Sequence, residues 1–441
     1  MPTAGKISKN NSILSMAFIH EHIILPLSDL ITGQHVYKYL QLLKEAEKWT
    51  PEQMKGFQQQ QLRQLITYAA KEVPFYRDWF QDHHLDSATI ELNQLPIVDK
   101  GIMRQEGIKR FTTEHFPTKE RIPSRSSGST GEPFSFYTSK LSEAVNTAAK
   151  LRTWYLAGYH LGDCYMKVAN GARYGKLKKL QDRINNCLYV PFYSVDDNML
   201  ASILELIEKS LPLFIRSYPI PLYLLAQYRN NHPDMYHHRP MHVFTTGSTL
   251  PNVYRDEIEK AFGCDVIDSY SCEGTPNTYE TTAHNGYHIS EYYGIIEVLD
   301  EDNRPISDGI GRVVSTDLWN LAHPFVRYDT QDLVEVNGGK IQRIIGRECD
   351  AFVHANGTLF TVHNFSHFFL YDTHAVDTYQ ILKHKDGSIT FHLVVNKSYT
   401  PEVENTIINY WQQQLGVPVD VKIVDEIPLM NNNKRLTIVE E

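Results

Sequence analysis

The sequence has few cysteines, no excess of positive charge and no long uncharged apolar run. Its five cysteines are scattered, and none of them forms a CxxC pair. Such a set is typical of reduced thiols in a cytoplasmic protein rather than of a disulfide framework. The formal net charge is −9. Since sequence-independent binding of nucleic acid requires a basic surface, this charge argues against a nucleic-acid-binding protein.

The apolar stretch over residues 13–31 is interrupted too often to be a membrane span. His20, Glu21, His22 and Asp29 lie within it. A spanning helix needs about 20 predominantly apolar residues in succession, and no small-residue cleavage site follows. We therefore expect no transmembrane segment but an amphipathic helix on the protein surface. Weak attachment of this helix to a membrane or a partner is left open.

The length of the chain predicts more than one domain. A chain of 441 residues exceeds what one hydrophobic core usually organises. Its 42% hydrophobic and 22% charged residues are ordinary for a globular protein. We predict a large N-terminal domain over residues 1–345, with a helical N-terminal region, and a small, mobile C-terminal domain over residues 346–441.

The two domains differ in the order of their predicted elements. Helical patterns over 141–158 and 199–210 alternate with short strand patterns over 213–217 and 242–246. Such alternation predicts a layered α/β domain with a substantially parallel sheet. After residue 345, strand-like segments lie on both sides of a helical stretch over 401–415, which indicates a small α+β domain.

The strongest local signal is SRSSGSTGEP, a stretch rich in serine and glycine over residues 124–133. Glycines allow backbone N–H groups to converge on an anion, and hydroxyl groups add donors for phosphate oxygens. The spacing is not that of a Walker loop, and no lysine follows. Taken alone, the stretch is either a phosphate-binding loop or a flexible linker.

Four further segments follow this stretch in order: FTTGSTLP (244–251), IDSYSCEG (267–274), VRYDTQDL (326–333) and IIGRECDAF (344–352). Together the five resemble the nucleotide-binding segments of the acyl-activating (ANL) ligases. The likeness is above all to phenylacetate–CoA ligases and the related capsule-biosynthesis adenylating proteins, and it covers nearly the whole chain. It implies an AMP-forming acid–thiol ligase, which converts a carboxylic acid to acyl-AMP with release of pyrophosphate. The acyl group would then pass to an acceptor, for which CoA is the first candidate.

The resemblance also implies which residues bind ATP. Gly247 and Ser248 would lie beside the adenine, Tyr270 would pack on the adenine ring, and Asp332 would accept hydrogen bonds from both ribose hydroxyls. A carboxylate suits that role because its two oxygens can accept from a vicinal diol. The residues that would hold the β- and γ-phosphates are Ser126, Ser127, Gly128, Ser129, Thr130 and Gly131.

Four other residues are assigned to the metal and to the small domain. Glu273 matches the glutamate that holds Mg²⁺, and Lys434 matches a mobile catalytic lysine. Arg347 matches an arginine that opens the C-terminal domain, and Asp350 falls where the hinge between the domains is expected. The implied cofactors are therefore ATP, Mg²⁺ and CoA.

The chain departs from the family pattern at several of these positions. Glu132 replaces a lysine in the Ser/Gly stretch, and Ser248 replaces a glutamate. The segment 270–273 is one residue shorter than usual, which makes the metal ligand uncertain by one position. Gln331 and Asn433 replace glycines that usually precede the matched aspartate and lysine.

Each assignment has a structural alternative that involves no ligand. Asp332 could cap a turn, Tyr270 could be an ordinary buried aromatic, Glu273 could be a solvated loop carboxylate, and Lys434 could be a surface lysine. Three functions stay open: an acyl-CoA ligase, a ligase that transfers the acyl group to an amine, a sugar or a carrier protein, and a non-catalytic nucleotide-binding homologue.

Overall fold

The structure is a computed structural model. It describes residues 16–125, 134–169, 175–192, 197–248, 250, 252–345, 351–353, 359–361, 365, 368–369, 373–427 and 438–440. The chain has a mixed α/β fold, with a large N-terminal part and a smaller C-terminal part. This confirms the predicted fold class, whereas the boundary between residues 345 and 346 stays a prediction.

The first part of the chain is helical. Its elements are a π-helical turn over His20–Ile24 and the helices α1 (Leu25–Thr32), α2 (Val36–Ala46), α3 (Pro51–Glu72), α4 (Pro74–Asp82), α5 (Lys100–Glu106) and α6 (Ile108–Phe111). The longest, α3, begins at a capping box in which Gln53 N–H donates to the Thr50 hydroxyl, while the Gln53 side chain accepts from Thr50 N–H. Val73 is extended and Pro74 then starts the next helix, because proline is favoured at a first helical position.

The predicted surface helix near the N-terminus is present over its described residues. Phe18, Ile23, Leu27 and Leu30 are exposed on it. No helix in the described part of the chain is long and apolar enough to cross a membrane.

A hairpin leads from these helices to the central sheet. Strands β1 (Arg121–Arg125) and β2 (Ser135–Ser139) pair in an antiparallel manner. Helix α7 (Lys140–Leu156) follows directly, and its first turn is capped because Ser142 N–H donates to the Ser139 hydroxyl at 3.0 Å. The helix ends two residues earlier than the pattern over 141–158 predicts. At that point Ala157 N–H turns back to the Trp154 carbonyl, and Gly158 has a φ of 85°.

Seven strands form the central sheet in the order β4-β3-β5-β6-β7-β8-β9. The first five of these pair in parallel, and β8 and β9 join antiparallel at one edge. The strands are β3 (Tyr165–Ala169), β4 (Cys187–Pro191), β5 (Phe214–Ser217), β6 (His242–Thr246), β7 (Val266–Tyr270), β8 (Thr278–Glu280) and β9 (Tyr287–Ile289). The connecting helices are α8 (Lys176–Ile184), α9 (Asp197–Ser210), α10 (Pro219–Asn231) and α11 (Asn252–Phe262).

Different helices cover the two faces of this sheet. On one face, residues of α9, α10 and α11 pack on Met166 and Val243 in a buried apolar cluster. On the other face, Trp154 of α7 packs against Phe214 and Phe244. The parallel strands are therefore covered on both sides, as a parallel sheet requires.

A second sheet in the large part is antiparallel. It consists of β10 (Gly294–Leu299), β11 (Gly309–Asp317), β12 (Tyr328–Asn337) and β13 (Lys340–Ile344), in that order. The register of β11 against β12 shifts between Arg312 and Val314. Such an irregularity redirects nearby side chains, and it lies beside the segment that contains Asp332.

The C-terminal part has its own sheet and core. Strands β16 (Val376–Lys383), β17 (Ile389–Val395), β18 (Val419–Ile423) and β19 (Ile438–Glu440) form a sheet in the order β18-β17-β16-β19, and β14 (Ala351–Val353) pairs with β15 (Leu359–Thr361). Helix α12 spans Pro401–Leu415, as the sequence predicts. Its Trp411 is buried and stacks on Phe365 with ring centroids 4.4 Å apart. Strands lie on both sides of this helix, as the sequence predicts.

Candidate nucleotide-binding site

Three predicted site residues lie at one edge of the central sheet. Gly247 and Ser248 directly follow β6, and Tyr270 is the last residue of β7. These two strands are parallel neighbours, with Thr246 opposite Ser269. Because the carboxyl ends of parallel strands meet at the same edge, the three residues lie together where open α/β sheets bind ligands.

Gly247 can only be a glycine in this structure. Its φ is 84°, and a Cβ atom added there would lie 2.6 Å from Cε1 of Tyr218. Tyr218 immediately follows β5, so its ring lies against the backbone at the end of the neighbouring strand. Tyr218 carries no signal of a site in the sequence, since an aromatic residue after a strand is too common to indicate one.

Tyr270 and Asp332 are joined by a hydrogen bond although they are 62 residues apart. The Tyr270 hydroxyl donates to Oδ2 of Asp332 at 2.8 Å, and it also lies 3.4 Å from Oγ1 of Thr330. Burial raises the pKa of Tyr270 well above its usual value, and the Asp332 carboxylate acts in the same direction. Tyr270 is therefore a neutral hydrogen-bond donor at ordinary pH.

The backbone around Asp332 is held in an unusual conformation. Gln331 has a φ of 62°, in the left-handed region that glycine favours. Its N–H donates to Oδ1 of Asp329 at 2.8 Å, and Asp332 N–H donates to Oγ1 of Thr330 at 3.1 Å. The Thr330 hydroxyl in turn donates to the Val313 carbonyl at 3.0 Å. Asp332 therefore lies in an irregular part of β12, where side chains bond to backbone N–H groups two residues further on. Gln331 adopts the conformation for which the glycine expected from the resemblance is suited.

Glu273 is not the solvated loop carboxylate of the structural alternative. Its side chain is 18% exposed, and its Oε2 lies 4.0 Å from Nζ of Lys100, at the start of α5. The next residue, Gly274, has a φ of 72°, and an added Cβ would lie 2.6 Å from Cγ of Phe325. The loop is thus packed closely on the large unit. Lys100, like Tyr218, carries no local sequence signal that indicates a site.

The single carboxylate of Glu273 is compatible with Mg²⁺ of the kind that accompanies a nucleotide. No group of three or more His, Cys, Asp and Glu side chains that could hold a metal occurs in the described ranges. Mg²⁺ often takes only one or two protein carboxylates and completes its shell with phosphate oxygens and water. One carboxylate at the strand edge therefore suits a metal that arrives with ATP.

The whole fold was compared with solved structures. It is similar to a structure of 2-hydroxyisobutyryl-CoA ligase in the postadenylation state, with a TM-score of 0.56 and 19% identity over 89% of this chain and 90% of that chain. A structure of the same enzyme with 2-HIB-AMP and CoA in the thioesterification state gives a TM-score of 0.55, with 19% identity over 89% of this chain and 91% of that chain. This chain has the fold of an adenylate-forming acyl-CoA ligase.

The sequence alone gives a more limited comparison. The chain is 25% identical over 340 residues to protein CapK of Staphylococcus aureus, which covers 72% of each protein. No family model matches the sequence. The likeness to the two ligase structures therefore concerns the fold, whereas the site residues rest on the motifs and on their geometry.

Several residues predicted for the ligase site lie outside the described residues. They are the phosphate-loop residues Ser126, Ser127, Gly128, Ser129, Thr130 and Gly131, together with Arg347, Asp350 and Lys434. The strands beside the loop are described, and Arg125 of β1 pairs with Ser135 of β2. The Ser/Gly stretch therefore connects two paired strands next to α7. The roles of these residues stay predictions.

Proposed function

We propose that this chain binds ATP at the carboxyl edge of its central sheet and transfers AMP to a carboxylic acid. Products of this step would be acyl-AMP and pyrophosphate. The observation that carries the proposal is the hydrogen bond of 2.8 Å between Tyr270 and Asp332. It joins two segments that the family resemblance assigns to the same nucleotide.

The geometry of this pair suits recognition of an adenosine. A carboxylate offers about four lone-pair positions, so the bond from Tyr270 is compatible with further hydrogen bonds to Asp332 from ribose hydroxyls. Tyr270 orients the Asp332 carboxylate by donating to it. Tyr270 is the last residue of β7, and Gly247 and Ser248 follow the neighbouring strand β6. Because Gly247 carries no side chain, the backbone after β6 can approach a flat base closely.

The reaction needs charge stabilisation more than covalent chemistry by the protein. A carboxylate is a poor electrophile, and its conversion to acyl-AMP provides a good leaving group. Phosphoryl transfer of this kind depends mostly on positioning and on neutralising charge. When Mg²⁺ is bound, it would supply that neutralisation at the phosphates, with Glu273 as its protein ligand. Lys100 would hold the Glu273 carboxylate in place before the metal arrives.

For the second step we propose transfer of the acyl group to the thiol of CoA. The similar ligase structure that contains 2-HIB-AMP and CoA supports this acceptor, because it has both in the same fold. An amine, a sugar or a carrier-protein thiol is the alternative acceptor. The altered residues Glu132 and Ser248 favour this alternative, since they depart from the usual acyl-CoA ligase pattern.

Acid-dependent release of AMP tests the proposal. The purified full chain is incubated with ATP, Mg²⁺ and single acids from aryl, fatty and amino-acid panels, with and without CoA. We expect AMP and pyrophosphate in equal amounts with at least one acid. ATP binding without any acid-dependent AMP would contradict catalysis and leave a nucleotide-binding protein. Competition between CoA, amines and carrier protein then identifies the acceptor.

A further inference from the structure

A second polar cluster lies at the same edge of the central sheet, where the strand order reverses. The chain passes from β3 outward to β4 and then returns to the other side of β3, from where β5, β6 and β7 follow in order. The gap between β3 and β5 is therefore a topological switch point. In open α/β sheets, ligands bind at the carboxyl ends of the strands on both sides of such a point.

Two cationic side chains lie opposite each other at this position. Lys167 of β3 is the register partner of Arg216 of β5. Tyr165 and Phe214, two residues earlier on each strand, pack in the cluster beneath α7. Since side chains two residues apart share a face of a strand, Lys167 and Arg216 also face α7.

Helix α7 adds a third cation above them. The guanidinium carbon of Arg216 lies 5.6 Å from the centroid of the Trp154 ring. Lys150 is four residues before Trp154 on the helix, so the two share one helix face. Burial is the first cause that lowers the pKa of Lys150, and the positive charge of Arg216 lowers it further. Lys150 and Arg216 are therefore close to each other, and both are half-buried.

No described carboxylate neutralises this pair at contact distance. Within the described ranges, neither Lys150 nor Arg216 has an ion pair, and Glu143 acts on Lys150 only as a weaker opposing charge. Two like charges that are partly withdrawn from water repel each other, and an anion bound between them would relieve this cost. The Trp154 ring compensates Arg216 only in part, since a cation–π contact contributes about 0.5–2 kcal/mol.

The cluster is continuous with the candidate nucleotide site. Tyr218 follows Arg216 by two residues, and its ring lies against Gly247. Arg216 is close enough to Tyr218 that its charge opposes the burial that raises the pKa of Tyr218. An acid attached to the phosphate of a nucleotide at Gly247 and Tyr270 could thus extend along the edge towards Lys150 and Arg216.

We propose that Lys150 and Arg216 form a subsite for an anionic group on the substrate acid, at a distance from the carboxylate that reacts. The substrate class is then an acid with a second carboxylate or a phosphate. This inference rests on the proposed function. The subsite goes further than that function. Adenylation requires only one carboxylate on the acid, whereas the subsite binds a second anionic group.

Matched pairs of acids test the subsite in the first half-reaction, without CoA. Exchange of pyrophosphate into ATP is measured with glutarate against pentanoate, terephthalate against 4-methylbenzoate, and 3-phosphoglycerate against glycerate. The first two pairs test a second carboxylate and the third tests a phosphate. We expect at least one pair in which kcat/KM is about tenfold or more higher for the acid with two anionic groups, since each factor of ten needs only about 1.4 kcal/mol.

Variants separate the subsite from a structural role. Arg216→Met and Lys150→Met should each remove that preference, because they lower kcat/KM for the acid with two anionic groups more than for its singly charged partner. Arg216→Lys should restore part of it. The matched control is Lys209→Met, on an exposed position of α9 that covers the opposite face of the sheet. ATP-induced thermal stabilisation confirms that each variant is folded.

Other results would contradict the subsite and still be compatible with the proposed adenylation of an acid. If singly charged acids are preferred in every pair, or if Arg216→Met slows both members of a pair equally, the cations do not recognise a second anionic group. An equal loss would indicate that they bind the reacting carboxylate or stabilise the fold. If no acid supports exchange although ATP binds, the proposed function itself fails.

Discussion

The central sheet and the small C-terminal sheet use their polar residues differently. At the carboxyl edge of the central sheet, Tyr270 meets Asp332 from a distant segment, and both lie where ligands bind in this type of sheet. In the C-terminal sheet, an exposed hydrogen bond of 2.9 Å joins Asn396 to Asp377 of β16. Trp411, Phe365 and Phe391 fill its interior.

This difference suggests a division of labour within the chain. The large N-terminal part (the large unit) would bind ATP and the acid. The smaller C-terminal part (the small unit) would position charged groups near its ends. Those groups are Arg347 and Lys434, which the sequence assigns to the small domain. The division predicts that changes in the small unit alter rates of single steps, and that changes in the large unit alter binding.

The largest expected effect concerns Lys434. If this lysine neutralises charge that develops during adenylation, Lys434→Ala should slow pyrophosphate exchange by a factor of at least about 100, as removal of a transition-state donor typically does. Thioester formation from pre-made acyl-AMP should be nearly intact. Lys422→Ala, an exposed lysine of β18, is the matched control. Normal exchange in Lys434→Ala would refute the role, and loss of both steps would indicate misfolding of the small unit.

Asp332→Ala should weaken binding of ATP. A ligand that binds only the native state raises the free energy of unfolding by RT ln(1 + [L]/Kd), which is about 2.7 kcal/mol at a hundredfold excess over Kd. The variant should lose most of this ATP-dependent increase, measured as a thermal shift. Its stability without ATP should also fall by about 1–3 kcal/mol, because the Tyr270 hydroxyl loses its acceptor.

The ATP-dependent increment, rather than the melting temperature itself, is therefore the informative quantity for Asp332. Asp256→Ala, an exposed aspartate of α11, is the control and should keep the full increment. An unchanged increment in Asp332→Ala would show that the ribose assignment is wrong.

Asp350→Pro tests whether the two units move relative to each other during the reaction. Proline fixes φ near −65° and removes a backbone donor. If a hinge near Asp350 changes conformation between the steps, we expect one half-reaction to lose roughly tenfold more than the other, a difference of about 1.4 kcal/mol in the barriers. The two steps are measured separately by pyrophosphate exchange and by turnover of pre-made acyl-AMP. An equal, mild loss in both would indicate that the units work as one rigid body.

The smallest expected effect is at Gln331. Its φ of 62° is unfavourable for a residue with a side chain by about 1–2 kcal/mol, although glycine also loses more entropy on folding. Gln331→Gly should therefore stabilise the protein by about 0.5–1 kcal/mol without changing the ATP-dependent increment. Gln331→Ala removes the same side chain but keeps the strain, so it should not be stabilised. Equal stability of the two variants would show that strain at this position is not significant.

The bounds of α12 and β6 are predictable from the sequence because residues at the ends of these elements indicate where they start and stop. Helix α12 was placed over its full length because its ends carry their own signals. The Thr400 hydroxyl accepts from Val403 N–H, and Gly416 ends the helix in the left-handed conformation. Likewise, β6 was predicted with its observed bounds, since its apolar run has clear ends.

Contacts between distant segments could not be predicted in this way. No local sequence pattern indicates that Lys100 lies near Glu273. The same is true of the position of Arg216 beneath α7. The family resemblance assigns Asp332 to the nucleotide but does not explain the backbone conformation around it. That conformation depends on Thr330, Asp329 and the irregular pairing of β11 with β12. The residue types at the site were therefore predictable from a family likeness, whereas their contacts required the fold.

Exchange of pyrophosphate into ATP, with and without an acid and in the absence of any acceptor, tests the central claim most directly. It reports formation of acyl-AMP alone, so it does not depend on which nucleophile receives the acyl group. We predict exchange that requires Mg²⁺ and an acid and that Asp332→Ala strongly reduces. Exchange that is independent of acid, or equal in wild type and Asp332→Ala, would contradict the assignment of an acid-adenylating site to Tyr270 and Asp332.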